Sequence, residues 1–112
     1  MIHRSRQAAL LTASLGALLL SAVPSAATAA PHSYTVVIDK LKFGPIPAQL
    51  HKGDVILWMN KDVFRHTATA ADHSFDVDLM PGKSGKTVLR KAGAIAFVCR
   101  YHPNMRGVLN VK

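Results

Sequence analysis

Seven residues near the C-terminus, Cys99-Arg100-Tyr101-His102-Pro103-Asn104-Met105, space a thiol, an imidazole and a thioether three apart. They follow Ala94-Ile95-Ala96-Phe97-Val98, an apolar run with the length and composition of a buried strand. A strand that delivers a cysteine into so short a loop, stiffened by the fixed φ of Pro103, can aim three donors at one point. With 6 His and 4 Met in 112 residues, a given cysteine has His at +3 and Met at +6 by chance about once in 500. All three donors are soft or borderline metal ligands. The chain must fold so that the rest of a coordination sphere meets this loop.

The remainder reads as β structure. From Tyr34 onward, short β-favouring runs alternate with turn residues, and no stretch carries a 3.6-residue apolar period of helical length. The expected strands are Tyr34 to Ile38, Leu41 to Phe43, Val55 to Asn60, His66 to Ala70, Phe75 to Val77, Lys86 to Arg90, Ala94 to Cys99 and Arg106 to Val111. Val55 to Asn60 is nearly all apolar, as a central strand should be, with Trp58 as core anchor. Lys86 to Arg90 alternates polar with apolar residues, as a half-exposed strand does. Seven or eight short strands with turns at short intervals point to an all-β sandwich or barrel.

The first 29 residues have the pattern of an export leader. Met1 to Arg6 is basic, Ala8 to Val23 is apolar, and Ala27-Thr28-Ala29 is a small-residue cleavage pattern. The apolar run spans 16 residues, short of the roughly 20 that a membrane-spanning helix needs. Cleavage after Ala29 and no stable membrane insertion are therefore expected. No adjacent arginine pair marks the twin-arginine route, so a Sec-type signal peptide leading to the periplasm is the expectation. Residues 30–112 then form one domain, too short for a second core.

Losing Arg4 and Arg6 with the leader would lower the net charge from +8 to about +6. A basic exported protein has no nucleic acid to meet in its compartment, so the charge reads as a solvated surface or as steering towards an acidic protein partner. A single cysteine cannot form an internal disulfide, which small exported domains commonly use. A buried metal held by thiolate and imidazole can supply folding free energy instead.

Thiolate, two imidazoles and a weak axial thioether form the ligand set of trigonal copper centres in electron transfer. The second imidazole must come from outside the Cys99 loop. His32 lies near the expected mature terminus, His51 beside a Lys-Gly-Asp turn, and His73 in a polar connection. His66 opens a strand directly after a loop, and it follows the Trp58 strand closely enough to reach the same end of a sandwich. His66, Cys99, His102 and Met105 are thus the expected ligands of one copper ion.

At these residues the sequence resembles the cupredoxins, most closely their amicyanin and pseudoazurin branch. Gly53 to Asn60, His66, Pro81-Gly82-Lys83 and Cys99-x-x-His102-Pro103-x-Met105-Arg106-Gly107 follow that family's order across residues 30–112. The resemblance implies an eight-stranded Greek-key sandwich with His66, Cys99 and His102 as equatorial ligands and Met105 axial. It departs at one place: the family usually has Asn directly after the first histidine ligand, tying the two ligand loops together and bonding the cysteine sulfur, and this chain has Thr67.

The expected function is one-electron carriage between redox protein partners by a monomer that is not an enzyme. His102 would be the electron portal, Met59 and Met80 part of an apolar docking patch, and Arg100, Arg106, Lys61 and Lys83 a ring that steers an acidic partner. A periplasmic copper carrier or buffer with the same ligands is the alternative. It would be expected to show extra His or Met on open loops, where only His73 and Met80 could serve. The His-x-His pairs of multicopper oxidases are absent, as is the length for a second domain.

Overall fold

The structure, a computed structural model, describes residues 8–23 and 30–112. The ends of the expected leader, residues 1–7 and 24–29 with the cleavage pattern, lie outside the described residues. Residues 8–23 form neither helix nor strand and are exposed. Among the described residues no helix is long and apolar enough to cross a membrane.

Residues 33–111 fold into two sheets of four strands. The strands are β1 (Ser33–Asp39), β2 (Lys42–Phe43), β3 (Val55–Asn60), β4 (His66–Ala70), β5 (Asp76–Leu79), β6 (Ser84–Val88), β7 (Gly93–Val98) and β8 (Arg106–Val111). One sheet has the order β2-β1-β3-β6 and the other β5-β4-β7-β8. The chain crosses between sheets after β3, β5 and β6, and β1 runs parallel to β3 while the other pairs are antiparallel. This is the all-β Greek-key sandwich expected from the sequence.

The core forms where the inward faces meet, because period-two alternation places every second side chain between the sheets. On β3, Ile56, Trp58 and Asn60 are buried, while Val55, Leu57 and Met59 are only partly so. Trp58 and Phe97 are fully buried at ring-centroid distance 5.2 Å, and Phe43 packs edge-on to Phe97 at 4.9 Å. Tilted and edge-to-face arrangements suit the aromatic quadrupole. Gly107, paired with Phe97 across β7 and β8, is required by this packing: a Cβ there would lie 2.5 Å from Phe97 Cζ.

Two strands differ from their sequence reading. On β7, Ile95, Phe97 and the following Cys99 are buried, whereas Ala94 and Ala96 are exposed, so the strand is one-sided. On β6 the polar residue points inward: Thr87 is 5% exposed and Val88 43%. The indole of Trp58 decides this, since its buried Nε1–H donates to Thr87 Oγ1 at 2.9 Å. A buried indole N–H needs an acceptor.

One end of the sandwich carries the Cys99 loop and the start of β4. The loop is closed at its neck by Cys99 N–H donating to the Met105 carbonyl at 2.9 Å, and inside by Met105 N–H donating to the His102 carbonyl at 2.8 Å. These bonds replace the sheet ladder where β7 and β8 part.

Candidate metal centre

β4 and β7 pair antiparallel with Thr69 opposite Val98 and Ala70 opposite Phe97. Continued by three positions, that register brings the start of β4 beside Cys99 and the loop after it. The donor atoms of His66, Cys99 and His102 accordingly lie within 4.8 Å of one another. His66 and Cys99 are fully buried and His102 is half-buried.

Both imidazoles turn the same nitrogen to the sulfur. Cys99 Sγ is 3.8 Å from His66 Nδ1 and 3.6 Å from His102 Nδ1, and the two rings are 4.9 Å apart at 59°. Metal–sulfur and metal–nitrogen bonds of about 2.3 and about 2.0 Å, the lengths zinc adopts, separate sulfur from nitrogen by about 3.7 Å at a trigonal angle. The three side chains therefore fit a metal of that size. Met105 is 5% exposed and is bonded through its backbone to both Cys99 and His102.

The surroundings hold each donor in place. Thr67 N–H points at Cys99 Sγ at 3.4 Å. Arg100 N–H donates to Thr67 Oγ1 at 2.9 Å; that hydroxyl is 2.9 Å from Thr69 Oγ1, which donates to Asp76 Oδ1 at 2.8 Å. The Arg100 guanidinium returns to Asp76 at 3.3 Å, closing a ring of contacts over the outer face of β4. Thr67 thus joins the two ligand-bearing segments and contacts the sulfur, the two tasks the resemblance assigns to Asn.

On the far side of His66, Nε2 is 2.9 Å from Asp62 Oδ2. Asp62 Oδ2 also accepts Leu41 N–H at 2.9 Å, and Oδ1 accepts Val63 N–H at 2.8 Å. The His66 bond first, then these backbone donors, hold the Asp62 carboxyl below the usual carboxylate range. Asn60 braces the loop: its Oδ1 accepts Asp62 N–H, and its Nδ2 donates to the carbonyls of Phe64 and Leu79. Sequence reading treated Asp62 as a plain loop residue; its only trace there is a carboxylate four positions before a candidate ligand.

The other histidines lie elsewhere. His32 and His51 flank buried Asp54 at the opposite end of β3, each with Nδ1 3.9 Å from a carboxylate oxygen. His73 occupies the turn after β4, at the end away from His66, with φ of 62°. Met80 is 52% exposed, whereas Met59 is partly buried within β3 on the face opposite Trp58.

A family model for the cupredoxin-like domain matches residues 11–111. The chain belongs to the cupredoxin-like domain family. Its fold is similar to a reduced amicyanin variant, with TM-score 0.65 and 20% identity over 75% of this chain and 86% of that one. A Cu(I) amicyanin variant aligns with TM-score 0.61 and 23% identity over 71% and 82% of the two chains. The purple cupredoxin of Nitrosopumilus maritimus aligns with TM-score 0.63 and 19% identity over 70% and 98%. At these identities the likeness speaks for the cupredoxin fold. No curated protein sequence matches the chain. Cupredoxins are small copper proteins of electron transfer, and a thiolate with two imidazoles is a donor set suited to copper.

Proposed function

We propose that residues 30–112 form an exported type 1 copper protein, in which His66, Cys99, His102 and Met105 would hold the copper, carrying single electrons between redox proteins in the periplasm. The observation that carries this reading is the pair of Nδ1 atoms at 3.8 and 3.6 Å from one buried sulfur. When bound, copper supplies one-electron chemistry by alternating between its cupric and cuprous states. The protein keeps the donors in one arrangement for both. His66 and Cys99 are anchored at the ends of the paired central strands β4 and β7, Thr67 N–H stabilises charge on the sulfur, and the closed loop neck restrains His102. A donor set that does not rearrange lowers the barrier to electron transfer.

His102 is the proposed portal. Its half-buried ring lies 6.1 Å from that of Phe64, and it lines a shallow depression with Leu41, Tyr101 and Pro103. Phe64, Leu41 and Tyr101 are each 43–50% exposed, and Val63 is 79% exposed. Such an apolar face suits the small, short-lived contacts of redox encounters. Complete burial of two donors favours retention of copper over exchange, which supports an electron carrier over a copper buffer. The exposed apolar stretch at residues 8–23, which joins neither sheet, supports its removal as a leader.

The test is the absorption spectrum of the protein beginning at Ala30 after addition of cupric ion. Intense visible absorption from a thiolate-to-copper transition is expected, with its loss in Cys99→Ser. A colourless mixture would overturn the reading. Slow release to a cuprous chelator separates the carrier of electrons from a buffer of copper.

A further inference from the structure

Asp62 is a half-buried acid beside His66 that the ligand set leaves without a role. Its side chain is 7% exposed and that of His66 is fully buried. Among the described residues, no lysine or arginine forms an ion pair with Asp62. Two backbone N–H groups orient its carboxylate, Val63 on Oδ1 and Leu41 on Oδ2, and His66 Nε2 lies 2.9 Å from Oδ2. The donors from Leu41 and Val63 fix where the oxygens sit, so the imidazole must come to the carboxylate and cannot draw it away.

We propose that Asp62 is a positioning residue for His66: it holds the imidazole in the Nε2–H tautomer, leaves the Nδ1 lone pair facing Cys99 Sγ, and as an adjacent anion favours the more highly charged state of the copper. The inference rests on the copper reading above. A neutral imidazole carries one proton, and a carboxylate can only accept. With Asp62 ionised and 2.9 Å from Nε2, the proton belongs on Nε2 and Nδ1 is bare. That is the nitrogen 3.8 Å from the sulfur. The same contact raises the basicity of the coordinating nitrogen. A negative charge one imidazole away from the metal stabilises the cupric ion more than the cuprous ion, and little solvent intervenes to screen it.

An isosteric amide removes the charge and can also donate to Nε2, which permits the tautomer with hydrogen on Nδ1. Asp62→Asn should therefore lose roughly 10–100-fold in cupric affinity and much less in cuprous affinity. Each tenfold selective loss appears as a rise in reduction potential of about 59 mV. Asp62→Glu, which keeps the carboxylate, should recover most of the difference. Nitrogen-15 shifts of His66 in the copper-free wild-type protein should report the Nε2–H tautomer, and Asp62→Asn should show a mixture.

The proposal is overturned if copper-free wild-type protein carries the His66 proton on Nδ1, or if copper-loaded Asp62→Asn keeps the wild-type potential and affinities. Neither result touches the copper site itself. Wild-type protein that fails to develop the visible band would sink the copper reading instead, and the nitrogen shifts would still decide the tautomer. Because that measurement uses the wild-type chain, the proposal stays decidable even if Asp62→Asn does not fold.

Discussion

Thr67 N–H lies 3.4 Å from Cys99 Sγ, and the next residue after that cysteine, Arg100, donates its own N–H to Thr67 Oγ1 at 2.9 Å. Two segments 32 positions apart thus exchange side chain for main chain where the β4–β7 ladder ends. The exchange leaves neither amide without an acceptor.

Thr67→Val removes the hydroxyl while keeping shape and the N–H to sulfur. Arg100 N–H then loses its acceptor, at a cost of about 1–3 kcal/mol where the amide is buried. Thr67→Ser should stay close to wild type. Denaturant midpoints of the two variants check this, and equal stabilities would dismiss a role for the hydroxyl.

Thr87→Val should destabilise by a similar amount, about 1–3 kcal/mol, because it strands the indole N–H of Trp58, now 2.9 Å from Thr87 Oγ1. Adding Trp58→Phe removes the stranded donor, so the double variant should lose less than the sum of the two singles. A strictly additive cycle would contradict the inward orientation of Thr87.

Acid should weaken the fold through Asp54 and Asp72. His32 N–H, with His51 N–H, holds the buried Asp54 carboxyl below its ordinary value of 3.8, and Ser74 with Lys91 brings Asp72 to about 2. Both folded-state values lie below the unfolded ones. The folded chain therefore binds fewer protons, and the stability from these groups is present above pH 3.8 and lost as pH falls through their lowered folded-state values, which for Asp72 is about 2. Asp54→Asn, whose amide can accept at only one end, should be less stable at neutral pH and show a shallower decline in acid. Urea midpoints of copper-free protein over this range provide the check; parallel curves would remove Asp54 as a contributor.

Steering by positive charge should show in rates. Arg106, Lys61 and Lys83 are exposed, and Arg106 reaches the Pro103 carbonyl at 3.3 Å beside the proposed portal. Arg100, by contrast, is turned to Asp76 at 3.3 Å. Arg106→Glu should slow electron exchange with an acidic redox partner at low salt, and the difference should shrink as salt rises. Stopped-flow rates unaffected by the substitution would dismiss the steering idea.

Much of this molecule is legible locally. β3 and β8 run over Val55–Asn60 and Arg106–Val111, the spans their residues predict, because strand propensity and turn residues act over a few positions. The spacing of Cys99, His102 and Met105 is likewise local, so a loop carrying three donors could be read directly. β5 and β6 shift from their expected bounds, to Asp76–Leu79 and Ser84–Val88, because their short runs mix polar with apolar residues and pairing with β4 and β3 sets their limits.

Sequence by itself determined the strands, the turns between them and the set of donor residues that one loop can present, since each depends on neighbours a few positions away. Tertiary structure alone decided which partners those residues meet. The register of β4 against β7 carries His66 to Cys99 and sends His73 to the other end of the sheet. The buried indole of Trp58 turns Thr87 inward against its polarity. The fold of the loop at 60–66 sets a carboxylate behind His66. The first two relationships join residues 33 and 29 positions apart on paired strands of one sheet, and the third depends on how the loop between β3 and β4 folds, so none of them exists until the strands have paired.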